Sequence, residues 1–152
     1  MRWSKLMPEV SVTMEVPYGH RLMSHLGKCA TLHGHNGLVE VIVRGPLNAH
    51  GMVIDFHDLR TVLHECLDKL DHAMLLQDSD AYVNILRTAG SVLPLKLVTL
   101  PVPPTAENIA QMIRDFLHAK GLYSRVRFYE TRDCYAEANG TTEPALFLTE
   151  VI

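Results

Sequence analysis

One parity runs through the stretch from His33 to Val43, and it constrains the chain more than any other feature. His33, His35, Val39, Val41 and Val43 share it, while Glu40 and Arg44 take the other. Side chains two apart project from the same face of an extended strand, so this segment predicts a strand with a buried valine face and two imidazoles at one end of it. The run Cys29-Ala30-Thr31-Leu32-His33-Gly34-His35-Asn36 adds a thiol within the same eight residues. Gly34, between the histidines, lets backbone or substrate approach closely because it has no side chain.

A second alternating run lies upstream, with Val10, Val12, Met14 and Val16 against Ser11, Thr13 and Glu15, and predicts a half-buried strand ending at Pro17. His20, in Tyr18-Gly19-His20-Arg21-Leu22, follows it at a hairpin's length from His33 and is the third candidate ligand. Three neutral imidazoles suit zinc, which in catalytic sites takes three protein ligands at about 2.0–2.1 Å and keeps one position for water or substrate. Spacing alone leaves iron, nickel and copper open.

The remaining chemistry is sparser. At 152 residues the chain reads as a single domain spanning 1–152, and a formal charge of -3 from 14 basic and 17 acidic residues lacks the basic excess that phosphate-backbone binding needs. No nucleic-acid partner is expected. The N-terminus has no apolar stretch of signal-peptide length, and no run approaches the ~20 apolar residues of a spanning helix, so no membrane partner is expected either. Cys29, Cys66 and Cys134 form an odd, widely spaced set, which predicts free thiols and a cytoplasmic location.

Asp55 can cap a helix whose stripe is Leu59, Val62, Leu63, Cys66, Leu67 and Leu70, which makes Cys66 a small core residue; Asp71 and His72 follow where that helix ends. Residues 77–103 allow a short helix around Ala81 to Arg87 and a strand around Leu95 to Leu100. Thr105 can cap a second main helix, with Ile109, Met112, Ile113, Phe116 and Leu117 on one stripe, Glu107 complementing the dipole and Gly121 as its stop. In the next strand Glu130 shares the parity of Val126 and Phe128. A carboxylate there is either partnered or already at a solvated strand end. Tyr135-Ala136-Glu137-Ala138 and Ala145-Leu146-Phe147-Leu148 read as further strands. The expected class is α+β: an antiparallel four-stranded sheet with two helices on one face, its open face and edges favouring a homo-oligomer.

His20-Arg21-Leu22, the Cys29 to His35 stretch, Val53-Ile54-Asp55-Phe56, Leu70-Asp71-His72, Pro104-Thr105-Ala106-Glu107-Asn108 and Glu130-Thr131 occur in that order. In these the chain resembles the 6-pyruvoyl-tetrahydropterin synthase family, closest to the bacterial 6-carboxytetrahydropterin synthases of queuosine biosynthesis, from about Val12 to Ala138. The resemblance implies a tunnelling fold that oligomerises into a barrel with sites at subunit interfaces, a hexamer with trimer and tetramer as alternatives. It implies Zn2+ on His20, His33 and His35, and 7,8-dihydroneopterin triphosphate as substrate. It further implies Cys29 as the base, His72 working with it, Asp71 holding His72, Glu130 as the pterin anchor, and Thr105 and Glu107 lining the pterin pocket. The short interval from Cys29 to His33 favours the carboxy product, with acetaldehyde and triphosphate released, over the pyruvoyl product. A non-catalytic pterin-binding protein, with structural zinc and Cys29 as fourth ligand, is the reading from another class. The chain departs from the family at Pro17-Tyr18-Gly19, where small residues are usual, and in its longer tail beyond Asn139.

Overall fold

A computed structural model describes residues 7–140 and the short strand at 150–151. Strands β1 (Glu9–His20) and β2 (His33–Arg44) form a long antiparallel hairpin whose register runs from Glu9 opposite Arg44 to His20 opposite His33. Val12 pairs with Val41 and Tyr18 with His35, so the expected apolar parities of the two strands fall on one face. That face carries the core, with Val39 and Val41 fully buried.

The first strand does not end at Pro17 but continues to His20. Proline lacks a backbone donor and is excluded from strand interiors where that donor is needed. Amide and carbonyl of a strand residue point the same way, and the Pro17 carbonyl accepts from the His72 amide at 2.8 Å. The missing donor therefore faces the side where β3 (Ala73–Gln77) has not yet begun, since its pairing with β1 starts at Tyr18 opposite Ala73.

The sheet is larger and more mixed than expected. Among the described residues it has seven strands in the order β6-β5-β2-β1-β3-β4-β7, where β4 is Leu97–Leu100, β5 Ser124–Thr131, β6 Cys134–Ala138 and β7 Glu150–Val151. β3 runs parallel to both β1 and β4; the other pairings are antiparallel. β4 falls within the strand expected around Leu95 to Leu100, and since every residue of it is buried it lacks the alternation by which a half-buried strand is read. The segment Ala145 to Leu148 lies outside the described residues.

Among the described residues there are three α-helices: α1 (Phe56–Leu67), α2 (Tyr82–Gly90), which falls on the short helix expected around Ala81 to Arg87, and α3 (Ala106–Ala119), so one is additional to the two expected on the sheet. α1 and α3 cover the valine face, Leu59, Leu63, Ile113 and Leu117 being fully buried. Cutting one such leucine to alanine costs about 2–5 kcal/mol. α2 joins β3 to β4 and packs Val83 and Leu86 against Leu76, Leu97 and Met74, a separate cluster on the opposite side of those strands. The helices are thus not all on one face. The Asp55 carboxylate accepts from the His57 amide at 2.7 Å to start α1, and α3 closes in a double hydrogen-bonded turn, Gly121 (φ 81°) to His118 and Leu122 to Leu117. Arg114 and Asp115, off the apolar stripe of α3, are buried as a 3.0 Å ion pair.

Burial pushes the Cys66 thiol up to about 12, so it stays neutral and shielded at physiological pH. Iodoacetamide applied to the native protein near pH 8 is expected to label Cys134, which is exposed, and to spare Cys66 until denaturant is added. Peptide mass mapping checks this; equal labelling of Cys66 in the native state would contradict its place in the core.

Candidate metal centre

The hairpin register brings the histidines together. His20 and His33 are directly paired, and His35 sits two residues further along the same face. One nitrogen from each lies within 4.8 Å of the other two. Donors on an ion at about 2.0–2.1 Å in tetrahedral array are roughly 3.3 Å apart, so only small adjustments separate this arrangement from a coordination shell.

The hydrogen bonds behind the rings decide which nitrogens face inward. Nδ1 of His20 donates to the Pro104 carbonyl at 2.7 Å, and Nδ1 of His33 to the Thr31 carbonyl at 2.6 Å. A carbonyl can only accept, so both rings carry their proton on Nδ1 and turn the Nε2 lone pair inward. Those two Nε2 atoms are 3.1 Å apart. Facing lone pairs repel unless a cation lies between them. Nε2 of His35 is buried with no hydrogen-bond partner. Protonation is a poor substitute, because burial moves His20 below the ordinary imidazole range. The donor set therefore fits a divalent ion with a liking for nitrogen. Cys29 does not join this group of three.

Glu130 lies beside the triad. Its Oε1 is 3.4 Å from Nε2 of His20 and 3.9 Å from Nε2 of His35, and the buried Tyr18 hydroxyl points at the same oxygen from 3.4 Å. Burial first, and then the Glu130 charge, raises Tyr18 far above the usual phenol range, so the phenol keeps its proton. Gly37 makes room for this ring: a side-chain carbon there would meet Tyr18 and Phe128, each at 3.1 Å. The parity shared with His20 was the signal for Tyr18, which otherwise registers only as an unusual residue ahead of the histidine.

Glu130 also lines a cavity of about 330 Å³ with Leu22, Thr105, Ala106, Glu107, Cys134, Tyr135 and Ala136. The expected pocket residues Thr105 and Glu107 are thus brought to Glu130. Thr105 keeps its helix role as well, accepting from the Asn108 amide at 3.3 Å. Cys134 and Tyr135 join the pocket through β6 and carried no sequence signal for it.

Cys29 lies in a 3-10 turn, Lys28–Ala30, within the loop that joins β1 to β2, and is half-buried. His72 is elsewhere. Its backbone takes a left-handed φ of 55°, uncommon without glycine, and its exposed ring contacts Asp71 Oδ1 through Nδ1 at 3.0 Å. It lines a cavity of about 450 Å³ with Pro17, Tyr18, Gly19, Gly34, His35, Asn36 and Met74, so one residue of the triad, His35, borders the same cavity. Lys96 secures the turn by donating to the carbonyls of Asp68 and Asp71. Among the described residues, no hydrogen bond or ion pair joins Cys29 to His72 or Asp71.

Comparison with known proteins bears on this arrangement. Residues 9–141 match the family described as 6-pyruvoyl tetrahydropterin synthase. A 6-carboxy-5,6,7,8-tetrahydropterin synthase of Haemophilus influenzae is 33% identical over 138 residues, 86% of this chain and 98% of that one. The protein of the same name from Rickettsia felis is 31% identical over 134 residues, 82% of this chain and 94% of that one. Among solved structures, an uncharacterized protein of Wolinella succinogenes superposes with a TM-score of 0.71 at 22% identity, over 90% of this chain and all of the other. The Caenorhabditis elegans 6-pyruvoyl tetrahydropterin synthase superposes with a TM-score of 0.62 at 25% identity, over 89% of this chain and 98% of that one. The architecture is the tunnelling fold.

Proposed function

Because the chain belongs to the 6-pyruvoyl tetrahydropterin synthase family, we propose that it is a zinc-dependent 6-carboxy-5,6,7,8-tetrahydropterin synthase. It would convert 7,8-dihydroneopterin triphosphate to the carboxylated pterin with release of acetaldehyde and triphosphate, as in queuosine biosynthesis. The observation that carries the reading is the three-histidine cluster with Glu130 at its edge, a residue that also lines the pocket of Thr105 and Glu107. The relatives named for the carboxy product support that product.

His20, His33 and His35 would hold the zinc, which when bound supplies Lewis-acid polarisation of the substrate's side-chain oxygens. Cys29 takes a proton from the adjacent carbon, and His72 receives and returns protons at Nε2 while Asp71 holds its Nδ1. Among the described residues no hydrogen bond or ion pair joins Cys29 to His72 or Asp71, so in this reading a second copy supplies His72 to the Cys29 of its neighbour, and a homo-oligomer, a hexamer, is the working form. A structural site with Cys29 as fourth ligand is disfavoured by the thiol's absence from the cluster.

Incubating the metal-loaded protein with 7,8-dihydroneopterin triphosphate and identifying products by mass spectrometry tests the proposal. Acetaldehyde together with triphosphate supports the carboxy product; triphosphate alone assigns the pyruvoyl reaction instead. Recovery of unaltered substrate would leave only the pterin-binding reading.

Glu130 is expected to anchor the pterin by accepting from the ring N–H and the exocyclic amine. Glu130→Gln turns one acceptor into a donor facing another donor, and a charge-assisted hydrogen bond contributes about 1.5–3 kcal/mol, so pterin affinity should fall by about tenfold or more. Fluorescence titration with sepiapterin reads this, with metal content unchanged. Affinity equal to wild type would move the anchor to Glu107.

A further inference from the structure

Asp80 is a buried carboxylate that the proposed chemistry does not use, only 3% exposed and placed between β3 and α2. Both its oxygens are engaged. Oδ1 accepts from the Tyr82 amide at 2.9 Å at the start of α2, and Oδ2 takes Nε of Arg21 at 2.7 Å. Arg21 directly follows His20. Its guanidinium lies 4.6 Å from the centre of the Tyr82 ring, and its Nη1 donates to the Ala30 carbonyl at 3.0 Å. The next residue, Leu22, donates its amide to the Cys29 carbonyl at 2.7 Å.

These contacts tie three parts of the molecule to one planar group. A guanidinium has donors in fixed directions, so once Asp80 and the Tyr82 ring set its plane, the direction of Nη1 is set as well. Burial strengthens the ion pair, and both Asp80 oxygens are satisfied, so Asp80 acts as a rigid post. The turn carrying Cys29 is otherwise part of a loop of twelve residues, 21–32, with one short 3-10 turn in it. Loops of that kind are mobile unless tied down.

We propose that Arg21, oriented by Asp80, is a positioning residue that holds the Cys29 turn at a set distance from His20, so that the thiol is presented to a substrate bound at the histidine cluster. The inference rests on Cys29 being the base. Its consequence is that the α2 crossover, remote from the cluster in sequence, controls the chemical step without touching substrate or metal.

Arg21→Lys keeps a positive charge opposite Asp80 but cannot supply two fixed donors, and Asp80→Asn keeps the shape while weakening the hold on Arg21. Turnover of 7,8-dihydroneopterin triphosphate by the zinc-loaded full chain is measured for both, for the double variant and for Cys29→Ser, alongside zinc content and hydrogen exchange. A misplacement of about 1 Å can cost about 100-fold. Arg21→Lys is therefore expected to lower kcat by about ten- to 100-fold with KM within about threefold and zinc at wild-type stoichiometry, while exchange in 22–31 rises. Asp80→Asn should do the same, and the double variant no more than the worse single. Arg21 is partly exposed, so Arg21→Lys alone carries the test if Asp80→Asn does not fold. Wild-type kcat in Arg21→Lys overturns the proposal. So does a parallel loss of zinc and substrate binding, which would make the contacts merely structural. Undiminished turnover by Cys29→Ser would instead remove the base itself, and with it the premise.

Discussion

His33→Ala is expected to purify with less than about a tenth of the wild-type zinc and to lack measurable turnover. Structural sites with four ligands bind zinc with about 10–16 kcal/mol, so one ligand in four carries roughly 3 kcal/mol, a factor above 100 in affinity. The geometry adds a reason specific to this site. His20 and His33 face each other through Nε2 atoms 3.1 Å apart, an arrangement that is repulsive without a cation, and His35 buries an unpartnered Nε2. Removing the His33 ring relieves the repulsion while deleting a ligand, so thermal stability of the metal-free variant should equal or exceed that of the metal-free wild type. Metal analysis by mass spectrometry and melting curves of the stripped proteins check both halves. Wild-type zinc content in His33→Ala would show that the cluster is not the metal site. Cys29→Ala, by contrast, should keep its zinc, because the thiol stands outside the cluster.

Cys29→Ala and His72→Ala are each expected to lose turnover by about 10²- to 10⁴-fold, the range contributed by a positioned proton-transfer group. The two variants should nevertheless rescue each other. No hydrogen bond or ion pair links His72 to Cys29 within the chain among the described residues. If Cys29 and His72 of one site come from different copies, co-assembly of the two variants in equal amounts leaves about a quarter of the sites with both groups intact. If both come from one chain, no intact site forms. Co-expression with two different tags, tandem purification and an assay of the mixed oligomer separate these outcomes. Activity no higher than that of either variant alone would place His72 and Cys29 in the same chain's site, or remove His72 from the mechanism. In the rescued oligomer the pH dependence should report macroscopic ionisations of the pair rather than of either residue.

The open face of the sheet bears on the same assembly. Arg127 there bridges Glu40 at 3.2 Å and Glu137 at 2.7 Å, joining β2, β5 and β6 by a charge ladder across the side that α1 and α3 leave uncovered. Such a ladder holds neighbouring strands in register where no core does so.

What the sequence determined by itself was the part of the molecule governed by local periodicity. The parity of His33 to Val43 was enough to put two imidazoles at one end of a buried face, with His20 a hairpin's length away as the third candidate, because alternation is a property of the extended backbone itself; that β1 runs on through Pro17 to pair His20 with His33 came from the fold. The caps Asp55 and Thr105 and the stop at Gly121 were legible for the same reason: each satisfies backbone groups a few residues away. Glu130 was legible only as an anomaly, a carboxylate on an apolar parity; its position between the triad and the pocket of Thr105 and Glu107 came from the pairing of β5 with β2. The tertiary structure alone decided the rest. β3 is only five residues long and carries no reading of its own, and although the sequence offered a strand around Leu95 to Leu100, its parallel pairing as β4 with β3 depends on the α2 crossover, and that of β3 with β1 on the docking of the chain after α1. Pro17 could stay inside β1 because its missing donor faces a gap that exists only once β3 has docked. Asp80 and Arg21 lie 59 residues apart in the chain and meet only in the folded state. Periodicity reports which face a residue occupies, whereas a buried charge finds its partner through the packing of elements remote in sequence, and no local pattern encodes that distance.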